Sequence, residues 1–176
     1  MQLNRWVTSF MLMFAAALTA AVSAPLLAQE PGSEPVVKEA AAAKLATPSN
    51  MPPCWAGAVL RGVPGQGPSV TLARTSPGCA FPWHWHTASE EDFVVSGPLT
   101  FEIKGSSPVV LRAGDYVYVP AHHLHHSVCT GRAPCVVFVS RAGATDYHYV
   151  NAAGQEIPLA EALESSAKKG TKSPKH

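Results

Sequence analysis

Two histidines and a glutamate in one short segment are the residues best suited to chemistry. His84 and His86 are separated by one residue, so on an extended strand both imidazoles lie on the same face. The carboxylate of Glu90 follows within reach of a turn, and His125 lies further along the chain. Imidazole nitrogens combined with a carboxylate oxygen are donors typical of divalent transition metals. The segment therefore predicts a metal site, and the function of the protein is expected there.

The elements that must position these residues are short strands separated by turns. Apolar stretches alternate with pairs of Gly, Pro, Asp and Ser at a spacing typical of an all-β barrel or sandwich. A short helix is predicted near the C-terminus, over 158–167. The predicted strands cover 58–60, 69–75, 81–86, 91–95, 99–103, 109–111, 116–119, 127–129 and 136–140.

The composition indicates one folded domain with extensions. Of the 176 residues, 47% are hydrophobic and 14% are charged, which excludes a wholly disordered chain. The formal net charge is only +1, and the last nine residues hold four lysines, so the folded part is close to neutral. Nucleic acid is therefore not expected as the main partner.

The first residues predict an exported protein. Arg5 precedes an uncharged, alanine-rich stretch over 6–27, as in a secretory signal cleaved after Ala28. Cleavage after Ala24 is the alternative, but Pro25 would then follow the cut, which disfavours it. A retained membrane anchor is the alternative, but the stretch is weakly hydrophobic for that role. We expect a signal peptide over 1–28, no stable membrane insertion after cleavage, and a location in a bacterial periplasm.

The remaining boundaries follow from changes in composition. Residues 29–50 are predicted to be a linker with a helical patch over 37–45. The barrel is expected over 51–158, and a short helix with a basic tail over 159–176.

Four cysteines are consistent with export. Cys129 and Cys135 bracket a five-residue loop between two apolar stretches, which predicts a hairpin with a disulfide at its base. Cys54 would then pair with Cys79. Buried free thiols are the alternative, and a zinc site is disfavoured because the chain has no CxxC spacing.

Two sequence motifs resemble those of the cupins. The segment from Gly78 to Gly97 reads G-x5-H-x-H-x3-E-x6-G, which is similar to the first cupin motif. The segment from Gly114 to Cys129 is similar to the second motif, G-x5-P-x-G-x2-H-x3-N, but His122 replaces its glycine and Cys129 its asparagine. The resemblance spans about residues 54–150. It implies an all-β, double-stranded β-helix (a jelly-roll barrel) with a short C-terminal helix, similar to small exported single-domain type-2 cupins.

The resemblance also implies the metal ligands. By position in the motifs they are His84, His86, Glu90 and His125. Glu91 is the alternative carboxylate, but the spacing to the motif glycine favours Glu90. The implied cofactor is a divalent transition metal, namely Fe, Mn, Ni or Zn, with two coordination positions left for a substrate. Three nitrogen donors disfavour Ca and Mg.

The function implied is that of a metal-dependent cupin acting on a small molecule. We expect an iron-type dioxygenase, with a cupin isomerase or lyase as the alternative reaction, in which His122 or His123 moves a proton as a catalytic residue. The alternative function is that of a non-catalytic periplasmic cupin that binds or senses a metal or ligand. For His122 and His123 themselves, the alternative is a polar, solvent-facing turn.

Three further expectations concern packing and assembly. Trp83 and Trp85 alternate with the ligand histidines, so they are predicted to lie on the outer layer. Tyr116 and Tyr118 are predicted to pack their rings in the core, with their hydroxyl groups in contact with water. Because cupins often dimerise, a homodimer is expected.

Overall fold

The structure is a computed structural model that describes residues 35–170, with side chains described up to residue 164. The predicted signal peptide and the basic end of the tail lie outside the described residues. The described part contains a short 3-10 helix (Ala40–Ala42), ten strands and one α-helix. The strands are β1 (Trp55–Gly62), β2 (Ser69–Thr75), β3 (Ala80–Trp85), β4 (Glu90–Ser96), β5 (Leu99–Ile103), β6 (Val109–Leu111), β7 (Tyr116–Val119), β8 (His125–Cys129), β9 (Cys135–Arg141) and β10 (His148–Tyr149), and the helix is α1 (Leu159–Gly170).

The strands form two antiparallel sheets of five strands each. The first sheet has the order β1-β2-β9-β4-β7 and the second the order β10-β3-β8-β5-β6. Strands adjacent in sequence therefore often lie in different sheets, as in a jelly roll. This architecture, with its C-terminal helix, confirms the predicted fold class.

The core lies between the two sheets and becomes polar toward one end. An apolar cluster includes Val94 of β4 together with Leu99 and Phe101 of β5. Along β4 the buried positions alternate with exposed ones, as expected for a strand. The buried series runs from Val94 to the carboxyl groups of Asp92 and Glu90. The inward face of β4 therefore changes from apolar at Val94 to charged at Asp92 and Glu90.

The loop between Cys129 and Cys135 connects the two sheets, so the predicted hairpin was wrong. Strand β8 pairs with β3 and β5, whereas β9 pairs with β2 and β4. A loop between two cysteines fits a hairpin and a crossing between sheets equally well, and the sequence pattern favoured the hairpin. The disulfide between these cysteines therefore joins the sheets.

The described part of the predicted linker is docked on the barrel. Ala46 forms an isolated β-bridge with Gly57, and the Thr47 hydroxyl donates to the Trp55 carbonyl at 2.7 Å. Of the predicted helical patch, only the three residues of the 3-10 helix are helical. The chain before β1 therefore runs along the edge of the first sheet.

The C-terminal helix begins close to its predicted start and packs on the second sheet. Ala162 is fully buried in a cluster with Met51, Phe81 and Tyr149. Within residues 35–170, no helix combines the length and the apolar character that crossing a membrane requires.

Candidate metal centre

Two neighbouring strands bring the three histidines together. His84 of β3 pairs directly with His125, the first residue of β8. His86 lies one residue beyond the end of β3 and two residues after His84, so it keeps the inward side. The side chains of all three histidines are buried, with 2 to 4% exposure. Their candidate ligand nitrogens lie within 4.8 Å of one another.

The hydrogen bonds of these histidines fix which nitrogen is free. The Nδ1 atom of His84 lies 2.8 Å from the Pro82 carbonyl, and that of His125 lies 2.9 Å from the His123 carbonyl. The Nδ1 atom of His86 contacts the Asp146 carbonyl. A carbonyl oxygen only accepts, so each Nδ1 donates its proton and each Nε2 keeps its lone pair. The Nε2 atoms of His86 and His125 have no hydrogen-bond partner among the described residues.

Burial keeps the three imidazoles neutral. It places the pKa of His84 well below the ordinary value of 6.5 and lowers the pKa of His125 to about 4. Burial, and to a smaller extent the positive charge of Arg141, lowers the pKa of His86 to about 2. A metal ligand must be unprotonated, so at neutral pH these histidines are already in the form that binds a metal.

Glu90 is the carboxylate that reaches this cluster. Its Oε2 lies 3.2 Å from the Nε2 of His86, and its Oε1 lies 3.7 Å from the Nε2 of His125. Glu91 points to the other face of β4, where its carboxylate accepts a hydrogen bond from the Tyr116 hydroxyl at 3.0 Å. The structure therefore places Glu90, rather than the alternative Glu91, beside the histidines.

The donor set fits a divalent transition metal. Three imidazole nitrogens face one another with a carboxylate next to them, and several of these buried atoms lack a hydrogen-bond partner among the described residues. Buried polar atoms are normally satisfied, so such a group indicates a missing ligand. A cation would satisfy the lone pairs on all four side chains.

A cavity of about 570 Å³ adjoins the histidines. Besides His84, His125 and Glu90, it is lined by the charged side chains Asp92 and Arg141 and by Tyr147. Its volume falls within the range of small-molecule binding sites. The site can therefore hold a small ligand next to a bound ion.

Two buried charged residues of this cavity were not identified from the sequence. Asp92 shares the inward face of β4 with Glu90, and burial raises the pKa of its carboxyl group to about 7. Arg141 ends β9 directly opposite Glu90, with which it forms an ion pair. The two-residue spacing of Glu90 and Asp92 was a signal for the carboxyl group, since alternate residues share a face. No comparable signal marked Arg141.

The two predicted catalytic histidines lie outside the cavity. The side chains of His122 and His123 are exposed, and neither residue lines the cavity. His122 has a φ of 63°, and its ring lies 4.8 Å from that of Trp85. Their predicted position in the pocket is not observed, because the turn before β8 directs only His125 inward. Proton transfer by either residue stays a prediction without structural support.

Of the two predictions about aromatic residues, the one for the tryptophans is confirmed and the one for the tyrosines is wrong. Trp83 and Trp85 lie on the outer layer, where Trp85 stacks on His148 with ring centroids 3.7 Å apart. Tyr116 and Tyr118 are about half exposed rather than packed in the core, because they share the outward face of the edge strand β7.

Both predicted disulfides are present. Cys54 pairs with Cys79, and Cys129 pairs with Cys135, which leaves no free cysteine among the described residues. The first pair ties the segment before β1 to the start of β3. Disulfides persist in oxidising compartments, so the pairs indicate an exported environment.

Comparison with known families agrees with this fold. Residues 71–141, which include all four candidate ligands, match the family described as the Cupin domain. Residues 71–141 of this chain therefore form a cupin domain. No curated protein matches the sequence significantly.

Solved structures with the same fold are similar only at a distance. An RmlC-like cupin from Ralstonia eutropha has 18% identity and a TM-score of 0.55, over 74% of this chain and 83% of that one. The DMSP lyase DddQ from Ruegeria pomeroyi has 22% identity and a TM-score of 0.53, over 71% and 75%. A chain from the structures of the DMSP lyases RdDddP and RnDddQII has 26% identity and a TM-score of 0.49. That match covers 55% of this chain and only 53% of the other.

Proposed function

We propose that this chain is a metal-dependent cupin that acts on a small molecule in the cavity of its barrel. The observation that carries the proposal is the convergence of His84, His86 and His125, whose Nδ1 protons are all committed to backbone carbonyls. Three neutral imidazoles directed at one place are otherwise destabilising, because the Nε2 lone pairs of His86 and His125 are buried without donors among the described residues.

The three histidines and Glu90 would hold the ion. A bound divalent transition metal supplies a Lewis acid and, if it is redox-active, a site for oxygen chemistry. Arg141 holds Glu90 in place through the ion pair, and Tyr147 covers the cluster, with its ring 4.9 Å from that of His86. Asp92 places a carboxyl group on the cavity wall, where it can hold or release a proton near neutral pH.

For the reaction, we propose an iron-dependent dioxygenase. The mixed donor set of nitrogen and carboxylate oxygen suits Fe(II), and the cavity leaves space beside the histidines for a small substrate. The alternative is a binding or sensing cupin that holds a metal and a ligand without turnover.

Metal content tests the site itself. Protein purified without chelating resin should contain about one divalent transition metal per chain by elemental analysis, and His84→Ala should contain only traces. His123→Ala is the matched control, since it removes an exposed imidazole two residues from His125 and should keep the full content. Wild-type metal content in the His84 variant would show that the ion lies elsewhere.

Oxygen uptake tests the reaction. Protein reconstituted anaerobically with Fe(II) should consume oxygen with a member of a panel of catechols and thiols, in proportion to the substrate lost, and His125→Ala should not. Native zinc, together with no turnover on the panel after iron loading, would favour the binding or sensing cupin.

We also propose that the protein is exported, as its disulfides support. When the full sequence is produced in a Gram-negative host, the processed chain should appear in the periplasmic fraction with Gln29 as its first residue. A chain that keeps its first 28 residues in the cytoplasmic fraction would contradict export.

A further inference from the structure

We infer that Arg141 anchors a carboxylate group of the substrate, so that the ligands of this cavity are small organic acids. The inference rests on the proposed function and adds the chemical class of the molecule. It starts from an arginine that the metal site alone does not explain.

Arg141 is buried and only partly paired. Its side chain is 6% exposed, its Nη1 pairs with Glu90, and its Nη2 donates to the Tyr147 hydroxyl at 3.3 Å. Its Nε has no hydrogen-bond partner among the described residues. A guanidinium has five N–H donors and stays protonated in proteins, so its unused donors cannot be removed by loss of the charge. A ligand with acceptor oxygens would satisfy them.

The charges around the cavity favour an anion once a metal is bound. The cationic side chains that line it are Lys44 and Arg141, and the carboxyl groups are those of Glu90 and Asp92. Burial raises the pKa of Asp92 to about 7, so near neutral pH the lining side chains carry no net negative charge. A divalent ion on the neutral histidines would leave the cavity with an excess of positive charge. An anionic ligand compensates for that excess, whereas a neutral ligand leaves it buried.

The shape of the site favours a carboxylate on an apolar molecule. A planar carboxylate matches the fork of N–H donors on a guanidinium. Other parts of the cavity wall are apolar and include Leu99, Phe101, Val137 and Val139. Such a wall accommodates the carbon skeleton of a small acid, whereas inorganic phosphate or sulfate has no apolar part to place there.

A purely structural role for Arg141 would not explain all the N–H donors that it places at the cavity. Neutralising Glu90 uses Nη1 alone, and the ion pair leaves Nε without a partner on a residue that lines the cavity. Anchoring a ligand explains the unused donor as well as the ion pair.

Calorimetric titration with acids and their neutral amides tests the inference. The probes are acetate, pyruvate and benzoate, each compared with acetamide, pyruvamide and benzamide, and inorganic phosphate is a separate arm. Each is titrated into metal-free and zinc-loaded wild type, Arg141→Lys and Arg141→Gln. Arg74→Lys is the matched control, because Arg74 is exposed and lies outside the cavity lining. Circular dichroism and zinc content are measured for every variant.

At least one acid should bind zinc-loaded wild type about tenfold or more tightly than its amide, and Arg74→Lys should behave as wild type. Arg141→Lys keeps the charge but loses the fork, so it should bind that acid about tenfold more weakly, with unchanged affinity for the amide. Arg141→Gln provides the same comparison if the lysine variant does not fold.

Equal binding of every acid and its amide would overturn the inference, as would wild-type affinity in a folded Arg141 variant. Phosphate binding as tightly as the best acid would also overturn it, since the site would then recognise any anion. Wild-type protein that takes up no zinc would instead contradict the metal site, and Arg141-dependent preference for acids in that protein would still support the anchor.

Discussion

The tautomers of the candidate ligands are set by the backbone. The carbonyls that receive the Nδ1 protons belong to Pro82, His123 and Asp146, which lie in three separate parts of the chain. Each carbonyl orients one imidazole, and together they direct the Nε2 lone pairs to one region. Such outer contacts raise metal affinity because the ligands need no rearrangement on binding. The orientation of the three imidazoles thus depends on the positions of main-chain carbonyl groups.

We predict that the metal-free protein loses stability on mild acidification. The pKa of His84, His86 and His125 is lowered in the folded state, whereas the same side chains titrate near 6.5 when unfolded. The unfolded chain therefore binds more protons as the pH falls through 6.5 toward about 4, the pKa of His125. Each imidazole then lowers the free energy of unfolding by up to about 1.4 kcal/mol per pH unit. Asp92, whose folded pKa is raised to about 7, gains a proton in the folded state over the same interval and offsets one of the three.

Urea unfolding of metal-free protein between pH 7.5 and 5 measures this slope. His86→Asn should show a shallower pH dependence than wild type, and His123→Ala should show the wild-type dependence. The expectation fails if stability is constant over this interval.

Replacing His122 by glycine should stabilise the protein by up to about 1 kcal/mol, because a φ of 63° is strained for a residue with a Cβ. The second cupin motif has glycine at this position, which agrees with the observed backbone conformation. The comparison variant is His123→Gly, whose position lacks a positive φ and which should lose stability. Chemical denaturation measures both, and a loss of stability in His122→Gly would show that its ring contacts outweigh the strain.

Among the elements, the two disulfides close loops of different length. The Cys54–Cys79 pair spans 25 residues and the Cys129–Cys135 pair spans 6. A longer loop loses more entropy when it is closed in the unfolded chain, so the first pair should contribute about 3.5 kcal/mol and the second about 2.2 kcal/mol.

Paired serine substitutions test this order. The variant without Cys54 and Cys79 should unfold at lower urea concentration than the variant without Cys129 and Cys135. Mass analysis under non-reducing conditions should show four fewer protons in the wild type than in its reduced form. Four titratable thiols in exported protein would contradict both pairings.

The sequence predicted the convergence of the candidate ligands better than their surroundings. His84, His86, Glu90 and His125 stand out because a strand and a motif fix their spacing. Asp92 is indicated only by its two-residue spacing from Glu90, and Arg141 is not indicated at all, since the burial of a single guanidinium follows from tertiary packing. The predicted pairing of β8 with β9 failed for a similar reason, as strand partners in a jelly roll are distant in sequence.

At the scale of the whole molecule, a homodimer stays a prediction. The outward faces of β4 and β7 expose Phe93, Val95, Tyr116 and Tyr118, each by about half. Apolar side chains that cluster on an outer face are typical of an interface. Sedimentation should give twice the mass of one chain, and Phe93→Lys should shift the protein toward the monomer with its circular dichroism unchanged. A monomeric wild type at high concentration would contradict the prediction.

The segment that precedes β1 supplies part of the cavity wall, through Lys44, Ala46, Pro48 and Asn50. This segment lies before the part of the chain that matches the family, residues 71–141. Part of the wall that a ligand would contact is therefore encoded outside the stretch that carries the candidate metal ligands. A relative that keeps the strands and their histidines but differs ahead of residue 54 would retain the reactive groups and admit other molecules.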